Sequence, residues 1–329
     1  MLGGSGKTPV VAALARLLLA AGERPAILSR GYGRRRPADG VVVVSNGDQV
    51  IATVQQSGDE PHMLARALPG VPVLVSSDRY LAGRLAERRF GCTVHLLDDG
   101  FQHVQLGREV DLLVMSRGDL AARLLPLGTL REPLGAARVA DGLLVAGGDE
   151  DLEVVTARLG GDAAFTAFTA FTILPRYLPL RSIAPWGGEP RDAGSAEAVG
   201  RRVVAVAGIA RPERFFGAVR SQGWDIAREF VFRDHHWFTA RDVDAVRRAA
   251  VDAGADAVIT TEKDAVRLEA VMAQDIHQGA PVRALLWAFL PMEMTIEPAD
   301  RFRSWLSDQL SVARSARARR HGGGGVEAA

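Results

Sequence analysis

The 329 residues are 47% hydrophobic and 24% charged, which excludes a wholly disordered chain and leaves room for about two domains. Forty basic against 39 acidic residues leave a formal net charge of +1, so the whole chain carries no signal for nucleic acid. The single cysteine, Cys92, excludes an internal disulfide and a cysteine-based zinc site, and points to a reducing, cytosolic setting.

Short apolar runs alternate with helical patterns along the first half. Lys7 to Ala21 reads as a helix, Arg24 to Ser29 and Val41 to Ser45 as strands, and Glu60 to Leu68 as a helix. Then come a strand from Val71 to Ser76, a helix from Arg79 to Arg89, and strands at Thr93 to Leu97, Asp111 to Ser116 and Gly142 to Ala146. Continuous apolar runs of this length fit strands buried on both faces, and their alternation with helices predicts a mostly parallel sheet with helices on both sides. The segment Ala164-Phe165-Thr166 repeats in tandem as far as Thr172 and reads as an extended ribbon; Pro175, Pro179, Pro185 and Pro190 follow. Alternation then resumes, with strands at Val203 to Ala207, Ile226 to Phe232, Ala257 to Thr260 and Val282 to Phe289. Helices are expected at Pro212 to Gln222, at Thr239 to Ala253 with Thr239 as cap, and at Asp300 to Leu310. The expected organisation is an α/β core over 1–175, a connection over 176–200, a second, smaller α/β domain over 201–310 and a disordered arginine-rich tail over 311–329.

No uncharged apolar run reaches the roughly 18–20 residues that span a bilayer, so no transmembrane helix is expected. Lys7 followed by Pro9 to Ala21 imitates a signal peptide, but Arg16 interrupts the apolar stretch, and the glycines before Lys7 have a better explanation.

Gly3-Gly4-Ser5-Gly6-Lys7-Thr8 matches the end of a phosphate-binding loop, although Met1 stands where the full pattern wants glycine. Glycines let backbone N–H groups approach phosphate oxygens, the lysine reaches the β- and γ-phosphates, and the threonine hydroxyl binds Mg²⁺. Asp98 and Asp99 end a strand, where α/β sheets bind ligands and where such enzymes hold Mg²⁺. Asp59, in Ser57-Gly58-Asp59-Glu60-Pro61, is either a general base or an ordinary helix cap. His235 and His236 are adjacent and point in different directions, so a shared metal is not expected; the residues alone read either as surface histidines or as a pair of which one orients a carboxylate. Only two of the basic residues are lysines, Lys7 and Lys263, and both fall in motifs, the second in Thr260-Thr261-Glu262-Lys263-Asp264. A compact ammonium is not interchangeable with a guanidinium at a tight site.

Taken together the motifs resemble those of the tetraacyldisaccharide 4′-kinases, the lipid A 4′-kinases of Gram-negative bacteria. The resemblance runs from about residue 3 to 310. It is carried by the loop above, Ser29-Arg30-Gly31-Tyr32-Gly33, Ser57 to Pro61, Ser77-Asp78-Arg79, Asp98-Asp99-Gly100-Phe101-Gln102-His103 and Leu130-Arg131-Glu132-Pro133. In the second half it continues through Ala207-Gly208-Ile209, Phe232-Arg233-Asp234-His235-His236 and Thr261 to Val266. It implies a P-loop kinase fold, ATP and Mg²⁺ as cofactors, and transfer of the γ-phosphate to the 4′-hydroxyl of a tetraacyl disaccharide lipid. The setting it implies is peripheral, at the cytoplasmic face of the inner membrane. Lys7 and Thr8 would hold phosphate and Mg²⁺, Asp98 and Asp99 the metal, and Asp59 would be the base, assisted by His235 or His236. Arg79, Gln102, His103 and Glu132 would line the site, Glu132 on the metal side. The family carries a helix and a strand ahead of the loop that this sequence does not show before Met1, and the expected explanation is a start assigned too far downstream. Two other readings stand beside the kinase: another P-loop ATPase or GTPase, the latter weakened by the lack of an Asn-Lys-x-Asp string, and a nucleotide- or lipid-binding remnant of weak activity.

Overall fold

The computed structural model describes residues 6–160, 169–183, 192–194, 202–275 and 285–322. In chain order the elements are α1 (Lys7–Ala20), β1 (Pro25–Ser29), β2 (Val42–Asn46), α2 (Val54–Ser57), α3 (Asp59–Ala67), β3 (Pro72–Val75), α4 (Arg79–Phe90) and β4 (Val94–Leu97). Next are β5 (Leu112–Ser116), β6 (Gly142–Ala146), α5 (Asp149–Arg158), β7 (Ala170–Tyr177), β8 (Leu180–Ser182) and β9 (Asp192–Gly194). The chain continues with β10 (Arg202–Ala207), α6 (Pro212–Ser221), β11 (Asp225–Val231), α7 (Ala240–Asp252) and β12 (Ala257–Thr261). It ends with α8 (Glu262–Asp275), β13 (Leu286–Leu290), β14 (Met292–Glu297) and α9 (Ala299–Gly322).

Two compact units form, and they do not follow the expected cuts at 175 and 201: one gathers Thr8–Asp98 with Arg176–Glu293, the other Met1–Lys7, Asp99–Pro175 and Met294–Ala329. Within the first of these units α3 and α8 are tied by ion pairs of Arg66 with Glu269 and of Glu60 with Lys263.

That unit holds two sheets, ordered β2-β3-β1-β4 and β11-β10-β12-β13-β8-β9. In the first, β1 pairs parallel with β3 and β4, and β2 is antiparallel to β3. Side chains alternate between faces along a strand. Ile27, Val73 and Val75 therefore meet Val11 and Ala15 of α1, Leu64 of α3 and Leu68 just beyond it, while Ala26, Leu28 and Leu74 meet Ala82 and Ala86 of α4. In the second sheet β11, β10, β12 and β13 run parallel, and β8 and β9 follow antiparallel. Phe215, Phe216 and Val219 of α6 cover one face, and Val243, Val246, Ala265 and Leu268 of α7 and α8 the other. Thr239 caps α7 in a box with Asp242, as the sequence predicts.

The other unit is built on the sheet β14-β7-β6-β5. Val155 of α5 and Leu159 at its end pack on Leu143, Val145 and Met115. Phe171 of β7 meets Phe302 of α9 edge to face, with ring centroids 5.0 Å apart, and Trp305 completes the cluster.

The alternation predicts most of these elements to within a residue or two. The proline-containing stretch is not a plain linker: β7 holds Pro175, and β8 lies between β13 and β9. The tandem repeat falls mainly outside the described residues, and its last copy enters β7. Helix α9 runs on to Gly322 instead of stopping at Leu310 before a disordered tail. No helix among the described residues is long and apolar enough to cross a membrane.

His62 on α3 carries a testable consequence. Burial, reinforced by the charge of Arg66 and opposed by a backbone hydrogen bond at Ala52, pushes its imidazole down to about 4 from 6.5. The unfolded chain therefore takes up a proton below about pH 6.5 that the folded chain refuses until about pH 4. Stability falls as pH drops through that window, by about 3 kcal/mol in all. His62→Gln flattens this slope; urea unfolding at pH 7, 6 and 5 that gives the same slope for both proteins would contradict the assignment.

Candidate active site

In the unit containing Lys7 and Asp99, the P-loop lysine opens α1 directly after Gly6, which sits at φ +81°. Gly3, Gly4 and Ser5 lie outside the described residues. Asp99 lies just beyond β4 with φ +54°. Among the described residues only Asp99 and His235 are non-glycine residues at positive φ. Such backbone is held by its surroundings and gathers at functional positions. The Asp99 carboxylate accepts from Lys7 Nζ through Oδ1 and from Arg131 Nη1 through Oδ2 at 2.9 Å. Arg131 Nη1 also donates to Gln102 Oε1 at 3.1 Å, and Gln102 Nε2 to Glu132 Oε1 at 3.0 Å. Burial raises the Asp99 carboxyl, but the charge and hydrogen bond of Lys7, then Arg131, more than offset it and hold it below the usual range. Two cations on one carboxylate form a cationic cluster suited to polyphosphate. Of His103, the carbonyl accepts from Arg108 Nη1 at 2.7 Å, and the backbone N–H donates to Gly100 O at 2.8 Å.

In the unit containing Thr8 and Asp98, the Thr8 hydroxyl donates to Asp98 Oδ2 at 3.5 Å, and Asp98 is 4% exposed. Asp98 N–H still donates to Leu28 O at 3.1 Å, so the backbone follows β1 to the strand's end. A hydroxyl beside a buried carboxylate is a hard-oxygen set that fits Mg²⁺. No group of three or more His, Cys, Asp or Glu converges on a point among the described residues. Glu132, expected on the metal side, is hydrogen-bonded to Gln102.

In this same unit Asp59 begins α3 immediately after Gly58. Gly58 has φ +89°, and a Cβ there would stand 2.8 Å from Tyr32 O. Gly31 has φ +69°, and a Cβ there would stand 2.7 Å from Ser57 O. Only glycine lets these two loops press together beside Asp59. The Asp59 side chain is 4% exposed. Its Oδ2 accepts from His235 Nδ1 at 2.9 Å, lies 3.3 Å from Arg267 Nη1 and 4.0 Å from Lys263 Nζ. Burial pushes this carboxyl up; the His235 hydrogen bond and the charges of Lys263 and Arg267 outweigh it, so it lies below the ordinary value. His235 moves the other way: the bond to Asp59 raises it against burial, and Lys263 lowers it.

The two adjacent histidines face different neighbours. His235, turned by its φ of +59°, faces Asp59; His236 stacks on Phe232 at 4.7 Å between centroids and pairs with Asp242 at 3.1 Å. Arg79, 4% exposed, donates from Nη1 to Ser77 O at 3.1 Å. Sequence reasoning did not single out Arg131, Arg267 or Asp264. Arg131 and Asp264 lie inside the Leu130–Pro133 and Thr260–Asp264 motifs, and Arg267 follows Lys263 by four residues on α8, the spacing of one helix face.

Parallel sheets flanked by helices, a Gly-Lys-Thr helix start and a strand ending in paired aspartates define a P-loop, kinase-type α/β protein. A family model described as "Tetraacyldisaccharide-1-P 4'-kinase" matches residues 1–311. Among curated proteins the chain is similar to the tetraacyldisaccharide 4′-kinase of Syntrophus aciditrophicus, 38% identical over 316 residues, covering 91% of this chain and 79% of that one. It is also similar to that of Geobacter sulfurreducens, 39% identical over 305 residues, covering 89% and 78%. Among solved structures it matches LpxK from Aquifex aeolicus in complex with ATP, with a TM-score of 0.70 and 29% identity over 94% of this chain and 85% of that one. The chain belongs to the tetraacyldisaccharide 4′-kinase family.

Proposed function

We propose that this chain transfers the γ-phosphate of ATP to the 4′-hydroxyl of a tetraacyl disaccharide 1-phosphate, a step of lipid A assembly. The observation that carries the reading is Asp59: a buried carboxylate kept ionised by His235, Lys263 and Arg267, on a chain that also presents a P-loop lysine. The acceptor oxygen attacks the γ-phosphorus, the bond to the β,γ-bridging oxygen breaks, and ADP leaves. The hydroxyl proton passes to Asp59. Lys7, with Arg131, neutralises charge that spreads over the transferring phosphoryl group; such stabilisation and positioning carry most of phosphoryl transfer. Thr8 and Asp98 would hold Mg²⁺, which supplies further neutralisation of the phosphates. Gln102 and Glu132 hold Arg131 in place. A lipid acceptor implies work at a membrane, and the reading extends to the cytoplasmic face of the inner membrane as a peripheral enzyme. The family match and the ATP-bound neighbour favour the kinase over a binding remnant.

The test is transfer of labelled γ-phosphate from Mg-ATP to the tetraacyl disaccharide 1-phosphate, with label expected in the lipid. ATP binding without lipid labelling would instead establish the remnant. His235→Gln should lower kcat by about 10- to 100-fold. Asp59 and His235 titrate as a coupled pair, and protonation of the raised His235 sets the acid limb of kcat/KM above pH 6.5. Removing His235 leaves only a carboxylate to titrate, so the limb should move down. His236→Gln should cost thermal stability through the lost stack and leave the limb in place. Equal effects of the two variants on kcat and on the limb would contradict this assignment.

A further inference from the structure

We propose that the loop from Arg123 to Leu130 docks this chain on an anionic phospholipid bilayer, its leucines entering the apolar edge of the headgroup layer. The proposal deepens the kinase reading, on which it rests for a lipid acceptor.

The loop is held closed while its apolar side chains are held out. Leu130 N–H donates to Arg123 O at 3.0 Å, and Leu125 N–H to Leu130 O at 2.8 Å. A Cβ on Gly128 would stand 2.2 Å from Arg123 O, so only glycine lets the turn close this tightly. Leu130 is buried, whereas Leu124 and Leu125 are each 44% exposed and Leu127 is 79% exposed. Pro126 between them is exposed as well. A lone exposed leucine is ordinary, but three within four residues of one turn form a patch, and a patch marks an interaction surface.

Charge selects the occupant. From Leu120 to Arg131 the chain has two arginines and no acidic residue. The Arg123 side chain is exposed and has no hydrogen-bond or ion-pair partner among the described residues. Leucines beside an uncompensated arginine fit an anionic lipid surface: the apolar area drives insertion and the guanidinium meets lipid phosphate. Isologous pairing with a second copy would instead bring two such arginines into one interface. The position also suits the chemistry. Leu127 is four residues from Arg131, at most about 14 Å of extended chain, and Arg131 donates to Asp99 at 2.9 Å. Val104, 82% exposed, is two residues from Gln102, which accepts from Arg131. Exposed apolar side chains thus lie close to the cationic cluster, and a docked bilayer presents a lipid headgroup beside it.

The test is co-sedimentation of the full chain with sucrose-loaded vesicles, one set of phosphatidylglycerol and phosphatidylcholine in equal parts, the other of phosphatidylcholine alone. The parent should partition onto the anionic set. The triple variant Leu124→Ser, Leu125→Ser and Leu127→Ser should partition about tenfold more weakly or worse, with an unchanged melting temperature. Leu127→Ser alone serves if the triple variant does not fold. Arg123→Gln should lose about fivefold on the anionic set and little on the neutral one. Transfer to acceptor embedded in anionic vesicles should fall with partitioning, while kcat on detergent-dispersed acceptor stays within about threefold of the parent. Folded leucine variants that partition like the parent overturn the proposal, as does a parent that binds neither set or both alike. So does a dimer in sedimentation velocity that the leucine substitutions dissociate, which would make a second copy the occupant. An equal loss of kcat in detergent also overturns it, as the mark of a loop that merely braces Arg131. Partitioning needs no ATP. If the parent docks through the leucines but never labels lipid, the kinase reading fails and the docking surface stands.

Discussion

Asp59→Asn should lose about 10²–10⁴ in kcat, the worth of a positioned base, while ATP binding changes little. The asparagine keeps an oxygen to accept from His235 Nδ1 and fills the same space, so the loss isolates the proton acceptor. The base need not be strong. In a loose transition state the nucleophile is little deprotonated until late, and a carboxylate held below the ordinary value suffices. At about 1.4 kcal/mol per tenfold, the loss amounts to roughly 3–5 kcal/mol of transition-state stabilisation. The fold should survive, because each neighbouring cation keeps another partner: Lys263 retains Glu60 and Asp234, and Arg267 retains Asp264. Single-turnover transfer to the lipid, measured beside nucleotide binding, checks the expectation. A kcat within threefold of the parent, with ATP binding intact, would remove Asp59 from the chemistry.

What the sequence could show follows the range of the physics involved. Ala26-Ile27-Leu28 and Val73-Leu74-Val75 are visible as strands because burial on both faces demands continuous apolar residues. The Gly6-Lys7-Thr8 start of α1 is local, and so is the Asp98-Asp99 strand end. The Asp59 to His235 contact spans 176 positions and is visible beforehand only through family resemblance. Two adjacent histidines are equivalent on paper. A left-handed backbone at His235 and an aromatic bed of Phe232 and Phe238 under His236 separate them, and neither is a pattern in composition. Helix α8 begins with Glu262, Lys263 and Asp264, a charged start that reads as a solvated helix N-terminus, although Ala265 and Leu268 are core. The compact units divide elsewhere than at the prolines. Prolines suggest a break, but compactness is decided by which helices pack, and α3 and α8 come from opposite ends of the proposed division.

Arg267→Met should cost the fold itself. Arg267 is 1% exposed and joins two buried carboxylates: it donates to Asp264 Oδ1 and lies 3.3 Å from Asp59 Oδ2. It also donates to Gly208 O at 3.2 Å. Asp264 is fully buried, its other oxygen held by Gly208 N–H at 2.9 Å and the Thr261 hydroxyl at 2.7 Å. Removing the guanidinium leaves that carboxylate in a dry interior without its counter-charge, a change that costs about 3–5 kcal/mol. Against a typical stability of about 5–15 kcal/mol, the variant should melt on the order of 10 °C lower or fail to accumulate as folded protein. Arg267→Lys restores the charge but not the fork, so it should recover only part of the loss. Adding Asp264→Asn to Arg267→Met removes the orphaned charge and should regain some stability, which distinguishes electrostatics from lost packing. Thermal unfolding of the three variants decides the matter: a melting temperature for Arg267→Met within about 3 °C of the parent would show that the buried network is not a structural keystone.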